Sequence, residues 1–213
     1  MNIATEISKK GADVEKIASY VMKKSECIEQ LIEGISAPKG SVRFTYEKVL
    51  RMISEQRPEL IYPYFDVFRK LSGCDNSFLK WGAILTIANL AAADSDNRID
   101  AIFDEYYAPV SGPVMITAAS IIGGSVKIVS AKPYLINKIV KEILKVEKTN
   151  YELHGELSPE CRNVAIGHAI DAFDQFFEQI EDKETILKFV KRQLNNTRKQ
   201  VVKKAEKFLK KHT

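Results

Sequence analysis

PELIYPYFDVFRKLSGCDNSFLKWGAILTIANLAAA, residues 58–93, reads as one helical hairpin. In its first half Leu60, Ile61, Tyr64, Phe65, Phe68 and Leu71 keep helical spacing, so one face of a helix is apolar, while Asp66, Arg69 and Lys70 lie on the other. Ser72-Gly73 stops that helix, and Cys74-Asp75-Asn76-Ser77 offers side-chain oxygens to cap a second one. From Phe78 to Ala93 the second helix is apolar on nearly every side, with Lys80 as its only charge. Such a helix has to be covered on several sides at once. A single hairpin cannot do this, whereas further hairpins stacked on either side can, which is the physical logic of a helical repeat.

The chain has 213 residues, 45% hydrophobic and 28% charged, a balance that can bury a sizeable core and argues against disorder. The opening stretch MNIATEISKKGADVEK has acidic residues early and no continuous apolar run, so neither a signal peptide nor a transit peptide is expected. The nearest approach to a membrane span, residues 110–131, contains Pro113, Gly123-Gly124, several hydroxyl side chains and Lys127, and is read as a buried helix. Cys27, Cys74 and Cys161 are odd in number and far apart, which suits a reducing cytoplasm without a disulfide framework. The net charge of +4 is unevenly spread. Residues 182–213 carry 11 Lys and Arg against 3 Asp and Glu, a net of +8, which leaves 21 against 25, a net of −4, for residues 1–181.

Taken in order, residues 1–11 are polar and expected to fray, and Asp13 caps a helix carrying Val14, Ile17 and Val21. A helix from about Ser25 stops before the turn Pro38-Lys39-Gly40, and another covers residues 41–55. After the hairpin at 58–93, residues 98–108 form one short helix, 114–130 an apolar one, and Lys132-Pro133 opens an amphipathic one. Residues 147–157 read as an irregular loop. Ser158-Pro159-Glu160 starts a helix that runs to about Ile180, Asp182 caps the next, and a basic helix follows Asn195-Asn196. The second helices superpose without gaps as VRFTYEKVLRMI (42–53), LKWGAILTIANL (79–90), VMITAASIIGGS (114–125), CRNVAIGHAIDA (161–172) and TRKQVVKKAEKF (197–208), spaced 37, 35, 47 and 36 residues apart. Small or apolar side chains recur in the fifth and ninth columns. The second column, Arg43, Lys80, Met115, Arg162 and Arg198, is cationic in four of five copies.

This pattern resembles the HEAT repeat family, an armadillo-type fold in which the second helix begins with Val-Arg after an Asp-containing turn; Val42-Arg43, and Leu79-Lys80 with Asp75 before it, match best. The resemblance covers about residues 22–213 and departs from the pattern at Met115. It implies an all-α fold, a right-handed α-α superhelix of about five hairpins forming one domain. Residues 1–21 would be an N-terminal cap, 22–181 four repeats with the insertion loop at 147–157, and 182–213 a basic capping repeat. It also implies that Arg43, Lys80, Arg162 and Arg198 form a structural ladder reaching acidic turns of neighbouring repeats, and that the second helices line a concave side. A single function is not implied, since such folds host adaptors, scaffolds and a few enzymes.

Catalytic and metal-binding patterns are not found in the sequence. His154, His168 and His212 have no zinc-ligand spacing, and no adjacent His-Glu pair of the kind that iron-binding repeat proteins carry occurs. Cys161 and His168 are separated by about 10 Å of helical rise, too far for direct proton transfer. No glycine-rich phosphate loop is present, and Gly123-Gly124 reads as a packing feature. Asp94, Asp96 and Asp100 read as turn and cap residues; a calcium site would need closer oxygen ligands and a permissive glycine. The expectation is therefore a cytoplasmic, non-catalytic protein-binding or scaffolding module without cofactor or metal. Its candidate partner site is Phe44, Trp81, Leu85 and Ile116, third and seventh positions on the side of the second helices away from the core columns. The alternative is a nucleic-acid-binding protein or a HEAT-like DNA glycosylase that uses the basic face of the last helix, Lys199, Lys203, Lys207 and Lys210.

Overall fold

The computed structural model of the protein describes residues 1–37 and 40–213, so Pro38-Lys39 of the expected turn lie outside the described residues. Among the described residues the fold is all-α apart from one strand pair, each strand two residues long. The described residues form two compact units, Met1–Ala101 and Ile102–Thr213.

The first unit contains α1 (Ile3–Ile7), α2 (Val14–Lys23), α3 (Ile28–Ser36), α4 (Arg43–Gln56), α5 (Pro58–Ile61), α6 (Phe65–Ser72), α7 (Ser77–Leu90) and α8 (Arg98–Ala101). The start of the chain is not frayed. The Asn2 side chain accepts a hydrogen bond from the Thr5 backbone amide, and Ile3 and Ile7, one turn apart, are both buried. Asp13 caps α2 as expected, accepting from Lys16 N at 3.0 Å. Helix α4 packs against α2 and α3 on one side and α7 on the other, and α6 covers a further side of α7. That is why α7 is apolar nearly all round. The first helix of the 58–93 hairpin is broken: α5 and α6 are joined by a 3-10 turn, Tyr62–Tyr64, because Pro63 has no N–H for the helical ladder and its ring crowds the preceding turn. Asn76 caps α7, accepting from Leu79 N at 3.1 Å.

Polar side chains tie these helices together. Asn89 on α7 donates to Ser54 Oγ on α4 at 2.9 Å. Asp94 is buried after α7; its Oδ1 accepts from Arg98 N at 2.8 Å and from the Tyr62 hydroxyl at 2.7 Å, and its Oδ2 accepts from Ile99 N at 3.0 Å. One carboxylate thus caps α8 and holds the turn between α5 and α6.

The second unit contains α9 (Phe103–Tyr107), α10 (Met115–Ala131), α11 (Ile136–Leu144), α12 (Pro159–Phe176), α13 (Lys183–Arg192) and α14 (Lys199–His212). Helix α12 packs against α10 on one side and α14 on the other; α11 lies against α10, and α13 against α14. Helix α10 runs unbroken through Gly123-Gly124, and a Cβ at Gly123 would meet nothing within 4 Å, so that glycine is not a close-packing point. The core includes Phe173, whose ring meets Phe176 and Phe189 edge-on at 6.0 and 5.8 Å.

The stretch expected to be an irregular insertion loop is ordered by its contacts. Strands β1 (Glu152–Leu153) and β2 (Glu156–Leu157) form a hairpin whose turn, His154-Gly155, has φ of 55° and 83°. Those positive angles suit a two-residue hairpin turn, with glycine at the second position. Tyr151 before it is buried and donates to Val110 O at 2.7 Å, and burial pushes its phenol up to about 12. Glu147 accepts from Nε and Nη2 of Arg192, at 2.8 and 2.7 Å. The hairpin escapes a periodicity search because each strand is only two residues long.

Candidate functional site

The groove between α4 and α7 is built around a glycine. Gly82 sits where a Cβ would overlap the carboxyl group of Glu47, so α7 can approach α4 only with Glu47 lying across the bare backbone. Glu47 is buried and accepts from Arg51 Nε at 2.8 Å, one helical turn later. Above this floor stand three aromatic rings. Phe44 and Phe78 have centroids 5.6 Å apart, and Phe78 meets Trp81 edge-on at 5.8 Å. Together with Leu85, Lys48 and the floor residues they line an open cavity of about 430 Å³. Phe78 is 69% exposed, an unusual state for a large apolar ring beside two others. Lys48 is exposed on the rim, and its charge acts on the neighbouring Glu47 carboxylate. The groove therefore offers aromatic walls above a floor in which Glu47 and Arg51 are paired, with the Lys48 cation at its rim.

Helix α2 does not cover this cavity. It borders a neighbouring one of about 410 Å³, lined by Ala12, Asp13, Val14 and Glu15 together with Lys48, Arg51, Met52 and Glu55. Lys48 and Arg51 stand between the two.

Burial pushes the Glu47 carboxyl above the ordinary carboxylate range, and the adjacent Arg51 opposes this only in part. An acid whose value is raised on folding adds stability that is fully present below its unfolded value, about 4.3, and that is lost as pH rises through the folded value. Glu47→Gln stays neutral throughout. Its stability relative to the native chain, read from urea unfolding, should therefore improve as pH rises from about 4.3 through the raised folded value. A difference that stays flat over that range would show that burial does not perturb Glu47.

The groove brings together three of the four residues expected from the sequence, Phe44, Trp81 and Leu85. Ile116 belongs to the second unit, where it is 46% exposed on the first turn of α10. Sequence reading missed Phe78 and Glu47. Phe78 was legible, being three residues before Trp81 on the same face of α7. Glu47 was not, because its position depends on Gly82 of another helix.

Three of the four cations of the second column take partners of different kinds. Arg43 Nε donates to Ile35 O at 2.9 Å, and Arg162 Nε to Thr149 O at 2.8 Å; each guanidinium satisfies a carbonyl near the end of the preceding helical segment. Arg198 pairs with Glu160 at the start of α12. Lys80 is half-buried on the first turn of α7. Lys199, Lys203, Lys207 and Lys210 are all exposed on α14.

Other chemistry is sparse. The three cysteines are free, and among the described residues no group of three His, Cys, Asp or Glu is placed to hold a metal ion. His168 lies below the ordinary imidazole range because of desolvation and then the nearby Lys204 charge. Among the described residues no helix is long and apolar enough to cross a membrane. In comparisons with known proteins, no family model, no curated protein and no solved structure matches this chain.

Proposed function

We propose that this chain is a non-catalytic protein-binding module of HEAT-like hairpins, and that the α4–α7 groove holds a segment of a partner protein. The repeat reading is supported within each unit by the packing of successive second helices, α4 on α7 in one and α10 on α12 on α14 in the other. The binding reading rests on one observation, the exposed Phe78 ring standing beside Phe44 and Trp81 over an open cavity. Aromatic side chains at the centre of an apolar patch are favoured interface anchors. Charge supports the choice of occupant: a segment presenting one apolar or aromatic side chain, with a carboxylate beside it, fits aromatic walls with Lys48 at the rim.

Trp81 is the only tryptophan of the chain, so its emission reports on the groove directly. Titration with short peptides carrying a Leu or Phe anchor should shift that emission, acidic-flanked peptides binding more tightly than basic-flanked ones. Phe78→Ala retains the fluorophore and should weaken capture at least about tenfold, the loss of one anchor contact. Trp81→Ala should weaken capture, followed by calorimetry, while lowering stability by no more than about 1–2 kcal/mol. A loss of about 3–5 kcal/mol, as for a truncated core aromatic, would place Trp81 in the core and end the groove reading.

A further inference from the structure

We infer that the outer face of α14 docks the phosphate backbone of a nucleic acid, reading its charge and not its base sequence. The helix carries two populations of cations. The inner population is committed to α12: Arg198 pairs with Glu160, Lys204 with Asp171, and Lys211 with Asp174 at 2.9 Å; the His212 ring meets the Asp174 carboxylate at 2.7 Å. His212 is also packed against the rings of Phe177 and Phe208, at 4.3 and 4.5 Å. The outer population is Lys199, Lys203, Lys207 and Lys210, all exposed and, among the described residues, without a carboxylate partner. Cations needed only to fasten α14 are therefore already accounted for by the inner set. At 100° per residue the outer four fall within roughly 80° of arc, with the one acid of the helix, Glu206, at its edge.

The shape of this face selects the ligand. Four ammonium groups at steps of about 6 Å or less, along roughly 16 Å of helix, form a line of point charges. A duplex strand also presents regularly spaced charges along a line, and flexible lysine stems can follow them. A bilayer is the poorer match. A membrane-surface helix keeps its apolar side free to enter the headgroup region, but in α14 that side, Val201, Ala205 and Phe208, is buried against the rest of its unit.

The test uses the full chain and fluorescence anisotropy with a labelled generic single strand and a labelled duplex, at several salt concentrations. The expected slope of log K against log salt is about −3 to −4, for four neutralised phosphates. Lys199, Lys203 and Lys207 replaced together by Gln should cut low-salt affinity at least about tenfold and reduce the slope by about 3. The matched control, Lys10, Lys16 and Lys23 replaced by Gln, removes the same charge from exposed positions of the first unit and should bind like the native chain. Glutamine leaves the buried side of α14 untouched, and thermal unfolding monitored by circular dichroism verifies that each variant is folded. The inference is overturned by absence of binding at low salt, or by equal losses in the two variants. Binding to phosphatidylserine-containing vesicles without binding to either oligonucleotide would also overturn it. Loss of peptide capture by the groove would leave it standing, because the two sites share no residue.

Discussion

Asp94→Ala is expected to destabilise the first unit by about 3 kcal/mol, the loss of a helix cap together with a charge-assisted hydrogen bond. The buried carboxylate accepts from two backbone amides at the start of α8 and from the hydroxyl of Tyr62. Alanine satisfies none of these donors. The Tyr62 hydroxyl itself accepts from Asp96 N at 3.2 Å, so the same change loosens the turn between α5 and α6 as well as the start of α8. Asp94→Asn keeps an acceptor oxygen and should recover about half of the loss, since asparagine is as good a cap as aspartate. Urea unfolding measures both. If alanine costs no more than about 0.5 kcal/mol, the range of ordinary surface changes, the carboxylate does not hold these elements together.

The second large effect belongs to the floor of the groove. Gly82→Ala should gain about 1 kcal/mol from helix propensity, yet the overlap with Glu47 should outweigh it. Relieving that overlap means either spreading α4 from α7 or expelling Glu47 from its place beside Arg51. Overpacking typically costs about 1–3 kcal/mol, and an Arg left facing a displaced carboxylate adds to it. The net expectation is a loss of about 2 kcal/mol. The added discriminating measurement is a double-mutant cycle. Glu47→Ala empties the space, so Gly82→Ala on that background should cost almost nothing or stabilise, a coupling of about 2 kcal/mol between residues in direct contact. Additive costs would mean that Gly82 and Glu47 do not share the space between the helices. Because Gly82 also lines the cavity, Gly82→Ala should reduce peptide capture even at temperatures where the chain remains folded.

The two surfaces differ in what they ask of a ligand. The groove offers desolvation of an apolar anchor, so its affinity should vary little with salt except through Lys48 and the acidic flank of the peptide. The α14 face offers only charge, so its affinity should fall steeply with salt. Raising the ionic strength therefore separates the two in one preparation.

Periodicity alone determined that this chain is helical, and where most of its helices lie, because side chains three and four apart share a face whatever surrounds them. The caps at Asp13, Asn76, Ser158 and Asp182 were legible for the same reason, each acting on an amide three residues away. The basic outer row of α14 was also readable, since a face of lysines follows from spacing within one helix. Local signals also carry breaks: Pro63 interrupts the helix despite the apolar spacing around it. The separation of α8 from α9, next to the unit boundary at Ala101 and Ile102, has neither glycine nor proline to announce it. Tertiary structure alone decided that Ile3 and Ile7 are buried, that Arg43 and Arg162 serve carbonyls, and that residues 152–157 form a hairpin. It alone put Glu47 against Gly82 and left Phe78 uncovered above them. These outcomes depend on which residues from distant parts of the chain share a space, and spacing along one helix contains no information about its neighbour.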